Sequence, residues 1–460
     1  MTENKALEKA LQDYQQEALE TLRAWVRLPS VKAEGAGNAP FGQDTRKMLD
    51  RALEDCRRLG FDVEDIDGYA GQADMGEGDP YDALGILGHL DVVPVGDNWE
   101  HDPFGAELID GRVYGRGTSD DKGPVVAALY AMAAVKKAGI PLKRRVRLIM
   151  GCDEETGMDD MAYYQTHAVM PRMGFSPDAE YPVINIEKGG CHVILRGAMN
   201  GEGMRLKRFR VGERINVIPG IAQAEVYGGQ TERDRAVRAA EALGFPLEAV
   251  LTDEGTVRLS TVGKPGHAAM GEEARNAIGQ MLLILRDAGM GGAIASLADT
   301  VGMTYYGEKL GISMEDGVSG KLTCALDIID GDEKQVTAQL DIRYPVLMNE
   351  EAMMRVMNDT LNGRLTAELA GSHTPHFVSE NSTLVQELLA AYEDVTGCRG
   401  KALAIGGGTY ARTMEEGVAF GALFPGEEEL AHQANEYITV EDLYRNMRIF
   451  AYAIVRMAGK

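Results

Sequence analysis

Of the eight histidines in this chain, His89 sits in Gly88-His89-Leu90-Asp91, at the end of an apolar run. In extended backbone, side chains two apart share a side. Asp91 could therefore accept the proton of one ring nitrogen while the other nitrogen faces a metal. A structural histidine bonded to its neighbour fits the same spacing. The stretch GRGTSDDKG, Gly115 to Gly123, precedes a helix expected to begin near Pro124. Its acids, Asp120 and Asp121, suit a helix start, and a carboxylate there could also bridge two cations, one per oxygen. Cys152-Asp153-Glu154-Glu155-Thr156-Gly157 follows a second apolar run. Three consecutive acids at a strand mouth repel one another unless cations are near, although a solvated loop is the commoner setting for such runs. With cations present, one carboxylate can bind metal while its neighbour stays free to accept a proton. Asp178 lies in Ser176-Pro177-Asp178, where a turn aspartate is usual, and His432 lies in the distant LAHQANE. His89, His432, Asp120, Glu155 and Asp178 together make the mixed nitrogen and oxygen donor set that zinc accepts. Glu154 is left over as a base. That is the parts list of a two-metal hydrolase.

The elements that must position these groups follow an α/β pattern. Ala83–Leu87, Val146–Met150 and Pro182–Ile186 read as buried strands, and Pro124–Ala138 as a helix. The alternation predicts a mostly parallel central sheet flanked by helices, with functional groups collected beyond the carboxyl ends of its strands. After Lys188 the texture changes. Strands at Thr256–Val262 and Leu322–Ile329 alternate with helices at Glu232–Leu243, Ala274–Ala288 and Glu350–Leu361. Residues 187–383 are expected to form an inserted α+β lid domain of two lobes. The catalytic domain would comprise residues 1–186 and 384–460, with a helix over Asn381–Thr396 and a short strand Ala402–Ile405 entering a glycine run.

Composition narrows the class. Hydrophobic residues are 45% and charged residues 26% of 460, enough for large buried cores. Acids outnumber Lys and Arg by 71 to 47, a net charge of −24, which disfavours nucleic-acid and membrane-surface partners. The five cysteines are scattered with no CxxC pair, so reduced thiols are expected rather than a disulfide framework or thiolate zinc site. The N-terminal stretch is amphipathic, without an apolar signal core. The longest apolar run, Val125 to Val135, is about half of a bilayer span. A soluble, cytoplasmic protein is expected. GxxxxGK[ST] and GxSxG are both lacking, which disfavours phosphate-loop and serine-nucleophile chemistry.

HLDVVPVG, GRGTSDDKG, DEETG, SPDAEYP and FPGEEELAHQANEYI occur in the order and spacing of the aminoacylase/carboxypeptidase family of di-zinc metallopeptidases. The whole chain resembles its PepV-type dipeptidase branch. The resemblance implies two divalent ions, zinc with manganese or cobalt as alternatives. Asp120 would bridge them, with His89 and Asp178 at one and Glu155 and His432 at the other. It implies that Asp91 orients His89, that Glu154 is the general base, and that the Asp120–Asp121 peptide bond is cis. It further implies that His267 stabilises the oxyanion and that Asn216 and Arg343 hold the carbonyl and carboxylate ends of a small peptide substrate. Gly407, Gly408 and Thr409 would belong to a substrate-binding glycine loop. From the residues alone, Arg343 reads as a surface salt bridge. Gly220, Ala268, Gly271 and Ala274 depart from the family pattern around the expected substrate. The long insert implies a monomer. An N-acyl-amino-acid deacylase of the acetylornithine or succinyl-diaminopimelate type would carry the same metal centre. A non-catalytic binding protein is the other class, disfavoured by Glu154 beside Glu155.

Overall fold

The computed structural model describes residues 4–200 and 203–460. The chain forms two compact units. One comprises residues up to Ile186 with Phe377–Leu403 and Gly408–Lys460; the other comprises Glu187–His376 with Ala404–Gly407. The second unit therefore ends before the expected residue 383. Phe377 and Val378 are already tied to the first sheet, where the Val378 N–H donates to the Asn185 carbonyl (2.9 Å) and the Asn185 amide donates back (2.7 Å).

The core of the first unit is a sheet whose central strands Val146–Gly151, Leu84–His89, Met173–Ser176 and Glu416–Ala419 run parallel. Antiparallel strands lie outside them: Asp62–Ile66 and Ala70–Met75 on one side, Val183–Glu187 on the other. The strand expected at Pro182–Ile186 is thus real but antiparallel. The parallel neighbour of Leu84–His89 is instead the short Met173–Ser176, whose four residues MGFS carry too little pattern to announce a strand. Alternation puts Leu84, Ile86, Leu148 and Met150 into one apolar cluster and Leu87 and Ile149 into another. Both sheet faces are therefore buried, as parallel strands require. The helix Lys122–Lys137, KGPVVAALYAMAAVKK, is buried over nearly its whole length. It packs against helices Lys5–Val26 and Val440–Ala458, and a Thr21–Tyr130 hydroxyl bond of 2.7 Å pins the first of these to it.

The second unit is an eight-stranded antiparallel sheet. Its order is Glu248–Leu251, Thr256–Val262, Ile221–Tyr227, Arg205–Val211, Thr323–Asp332, Gln335–Tyr344, Gly189–Ala198 and Thr366–His373. Its two halves meet where Arg205–Val211 pairs with Thr323–Asp332. They share one apolar core with helices Gln230–Leu243, Ala277–Asp287, Gly292–Thr300 and Glu350–Leu361. The two expected lobes are thus halves of a continuous sheet. In Gln335–Tyr344, Val336, Ala338, Leu340, Ile342 and Tyr344 enter that core, which turns Gln339, Asp341 and Arg343 to the opposite face. Among the described residues, no helix is long and apolar enough to cross a membrane.

Candidate metal centre

Three parallel strands end side by side, and each delivers one group. His89 closes Leu84–His89, Cys152 to Glu155 follow Val146–Gly151, and Asp178 follows Met173–Ser176. Asp120 enters just before the helix Lys122–Lys137, and His432 arrives on the loop before Tyr437–Thr439. The Asp120 carboxylate divides its oxygens: Oδ1 lies 2.9 Å from His89 Nε2 and Oδ2 lies 3.1 Å from His432 Nε2. His432 Nε2 is also 2.9 Å from Glu155 Oε2, and His89 Nε2 is 3.9 Å from Asp178 Oδ2. His89, Glu154 and Asp178 form one group whose ligand atoms lie within 4.8 Å of one another; His89, Asp120 and Glu155 form another.

Electrostatics supports cations here. Burial raises Glu154 and Asp178 well above the usual carboxylate range, and neighbouring carboxylate charges add to it, while the His89 charge opposes. Glu155 is raised by burial and by the Asp120 charge. Asp120 is held low, because its bonds to His432 and His89 outweigh its own burial. Its partners respond in kind: bonds to Asp120 and Glu155 push His432 up to about 10. Acids crowded this closely demand positive charge, and the donors are the nitrogen and oxygen types that bind divalent zinc, manganese or cobalt. The residues present fit such ions.

Several supports were not expected. Asp91 does not offer its carboxylate to His89 as the main acceptor. His89 Nδ1 faces the Asp91 carbonyl at 3.0 Å and the carboxylate only at 3.5 Å. That carboxylate instead accepts the N–H groups of Glu154 and Glu155, both at 3.2 Å, so it fixes the turn bearing both glutamates. Asp121 precedes the helix but makes no capping bond. Its Oδ2 accepts the His89 N–H at 3.1 Å. A Cβ on Gly88 would collide with that oxygen and with Val125, which explains the glycine before the histidine. The Asp120–Asp121 bond is cis, as the resemblance implied. Asp160 accepts the N–H groups of Cys152 (2.6 Å) and Asp153 (2.9 Å) and the hydroxyl of Tyr410.

The largest omission from the sequence reading is Glu436. Pairing of Tyr437 with Tyr114 carries it to the Gly115–Asp120 loop. There it binds Arg116 at 2.7 Å, both side chains being fully buried. It also accepts the N–H groups of Gly117 (3.0 Å), Ser119 (2.9 Å) and Asp120 (3.3 Å). A signal existed, since Glu436 stands in the same short stretch as His432 and Arg116 stands between two glycines.

In the second unit, Val217 pairs with His267 across two short strands, and the Ala268 N–H donates to the Asn216 carbonyl at 3.0 Å. The Asn216 N–H donates to Asp327 Oδ2 at 2.8 Å. His267 Nδ1 accepts the Ala269 N–H at 3.1 Å; in the neutral ring that leaves the proton on Nε2. Arg343 is not a surface salt bridge, because it pairs with the fully buried Asp341. Gly220, a departure from the family pattern, is required by packing, since a Cβ there would lie 2.6 Å from Pro265 Cδ. Gly407 belongs to this unit, whereas Gly408 and Thr409 belong to the first. The Thr409 hydroxyl accepts the Ala411 N–H at 3.1 Å, capping the short helix Tyr410–Thr413.

With this geometry in hand, comparison with known proteins is decisive. The model of peptidase family M20/M25/M40 matches residues 85–456. The chain belongs to that family. It is 38% identical to "Putative dipeptidase YtjP" of Bacillus subtilis over 457 residues, covering 94% of this chain and 96% of the relative. It is 34% identical to "Beta-Ala-Xaa dipeptidase" of Lactobacillus delbrueckii subsp. lactis over 438 residues, covering 91% and 90%. Human carnosine dipeptidase 1 shares the fold, with a TM-score of 0.58 at 16% identity over 98% of both chains. Family membership makes the protein a hydrolytic enzyme.

Proposed function

We propose that this peptidase-family hydrolase is a metal-dependent dipeptidase acting on short peptides with a free amino end. The observation that carries the reading is the Asp120 carboxylate, split between His89 and His432, with Glu154 in the same group of ligand atoms as His89 and Asp178. The names of the relatives point to the same substrate class. His89, Asp178, Asp120, Glu155 and His432 would hold two divalent ions, with Asp120 common to both. Such ions, when bound, supply Lewis acidity and a water of lowered pKa.

The chain's own residues do the rest. Glu154 accepts a proton from the attacking water and returns it to the leaving amine, so the peptide C–N bond breaks as a C–O bond forms. Burial raises its proton affinity above that of an ordinary carboxylate, in keeping with a group that takes and gives back a proton. His267 donates from Nε2 to the carbonyl oxygen as negative charge grows there. Asn216 helps hold that carbonyl, and Arg343 binds the substrate's carboxylate end. The Gly407–Thr409 loop would contribute backbone donors.

A hydrolysis panel tests the reading. Uncapped dipeptides are set against N-acetyl and N-succinyl amino acids, with zinc or manganese and with a chelator. Cleavage of the uncapped set alone, abolished by chelation, is expected. Cleavage of the capped set alone would move the protein to the deacylases.

A further inference from the structure

Arg343 and Asp341 lie two apart on the sheet face turned from the core, and their contact is bidentate. Arg343 Nε donates to Asp341 Oδ1 and Nη2 donates to Oδ2, each at 2.7 Å. Asp341 is fully buried, while the Arg343 side chain keeps 14% of its surface exposed. A third bond runs from Nη1 to the Gly406 carbonyl at 3.3 Å. Gly406 lies along the arginine stem, where a Cβ on it would stand 3.7 Å from Arg343 Cγ and 3.9 Å from Cβ.

A guanidinium has five N–H donors in a fixed plane. Asp341 occupies the Nε/Nη2 edge and Gly406 takes one hydrogen of Nη1. Two hydrogens are left, one each on Nη1 and Nη2, neighbouring donors that can both serve one carboxylate. A buried carboxylate that consumed every donor would make Arg343 purely structural; this one consumes one edge and fixes the plane of the remaining donors.

We propose that Asp341 is a positioning residue that aims the remaining Nη1 and Nη2 donors of Arg343 at the free carboxylate of the substrate. The selectivity of this chain for substrates ending in a carboxylate then depends on Asp341 as well as on Arg343. The inference rests on the role assigned above to Arg343.

The test compares a dipeptide with its C-terminal amide, in metal-saturated buffer, for the wild type, Asp341→Asn, Asp341→Glu and Arg343→Ala. The readout is the acid-to-amide ratio of kcat/KM, which a general loss of folded enzyme leaves unmoved. In the wild type the acid is expected to be preferred by about 10- to 100-fold, the range for a charge-assisted pair. Arg343→Ala should collapse that preference. Asp341→Asn keeps the shape but loses one acceptor, and should lower the ratio about tenfold, mainly through KM. Asp341→Glu keeps the charge but shifts the guanidinium by one methylene, and should lower the ratio too. A collapsed ratio in Arg343→Ala with an unchanged ratio in both Asp341 variants would overturn the role of Asp341 alone. An unchanged ratio in Arg343→Ala would overturn the role of Arg343 and this inference with it.

Discussion

Glu436 never touches the ligand atoms directly, yet its replacement should damage the metal centre more than its distance suggests. In Glu436→Gln one carboxylate oxygen becomes an NH2. With that group toward Arg116, it opposes the donor now held at 2.7 Å. Turned the other way, it opposes the N–H groups of Gly117, Ser119 and Asp120 and the Ser119 hydroxyl. Neither orientation avoids donor against donor, and the fully buried Arg116 charge loses its partner in both. Breaking a buried pair by removing one member costs about 3–5 kcal/mol. The first unit should lose that much stability in urea unfolding with chelator present. Excess zinc should then widen the gap from wild type, because stabilisation by a ligand scales with its affinity and either orientation disturbs the loop that carries Asp120. A variant within about 1 kcal/mol of wild type in chelator would refute the buried-pair argument. An equal gain from zinc in both proteins would refute the link from Glu436 to Asp120.

Other residues give further expectations. Glu154→Gln should lower kcat by about 10²- to 10⁴-fold while metal content, measured on the dialysed protein, stays at the wild-type level. Gly88→Ala forces a Cβ into Val125 and Asp121 Oδ2; it should cost about 1–3 kcal/mol in thermal unfolding and weaken metal binding by moving His89. Asp327 gives a pH signature. Burial pushes its carboxyl from 3.8 up to about 7, so the folded state holds a proton that the unfolded state releases. The resulting stability is complete below about pH 3.8 and is lost as pH rises through about 7, with an upper bound of about 4 kcal/mol. Asp327→Asn should therefore be more stable than wild type at pH 8 and gain nothing at pH 4, by differential scanning calorimetry of the metal-free protein.

Much of the fold and most of the candidate metal centre were legible because local pattern and chemistry agreed. Val146–Gly151 and Leu84–His89 are short apolar runs ending in polar clusters, and Glu350–Leu361 has the helical period. His89, Asp120, Glu154, Glu155, Asp178 and His432 each stand where a motif ends an element, and the structure brings all six together. What stayed hidden were the partners of those groups. Asp91 serves the N–H groups of residues 63 and 64 positions away, and Glu436 serves a loop more than 300 positions back. An acceptor chosen by a backbone N–H leaves no trace in residue type at the donor, since every residue but proline carries the same group.

Asp327 was hidden for a second reason. A shift in register between Leu326 and Ile328 breaks the alternation of its strand, so period-two counting cannot assign its face. Asp341 shows the limit from the other side. Its spacing from Arg343 was visible, and two-apart residues on a strand do share a face. The pair reads as a weak surface bridge until burial is known, because burial decides whether a carboxylate two residues away is one solvated charge among 71 acids or the fixed brace of a partly exposed arginine. Spacing proposes the pair; only the packing of Gly406 and the sheet around it sets what the pair is worth.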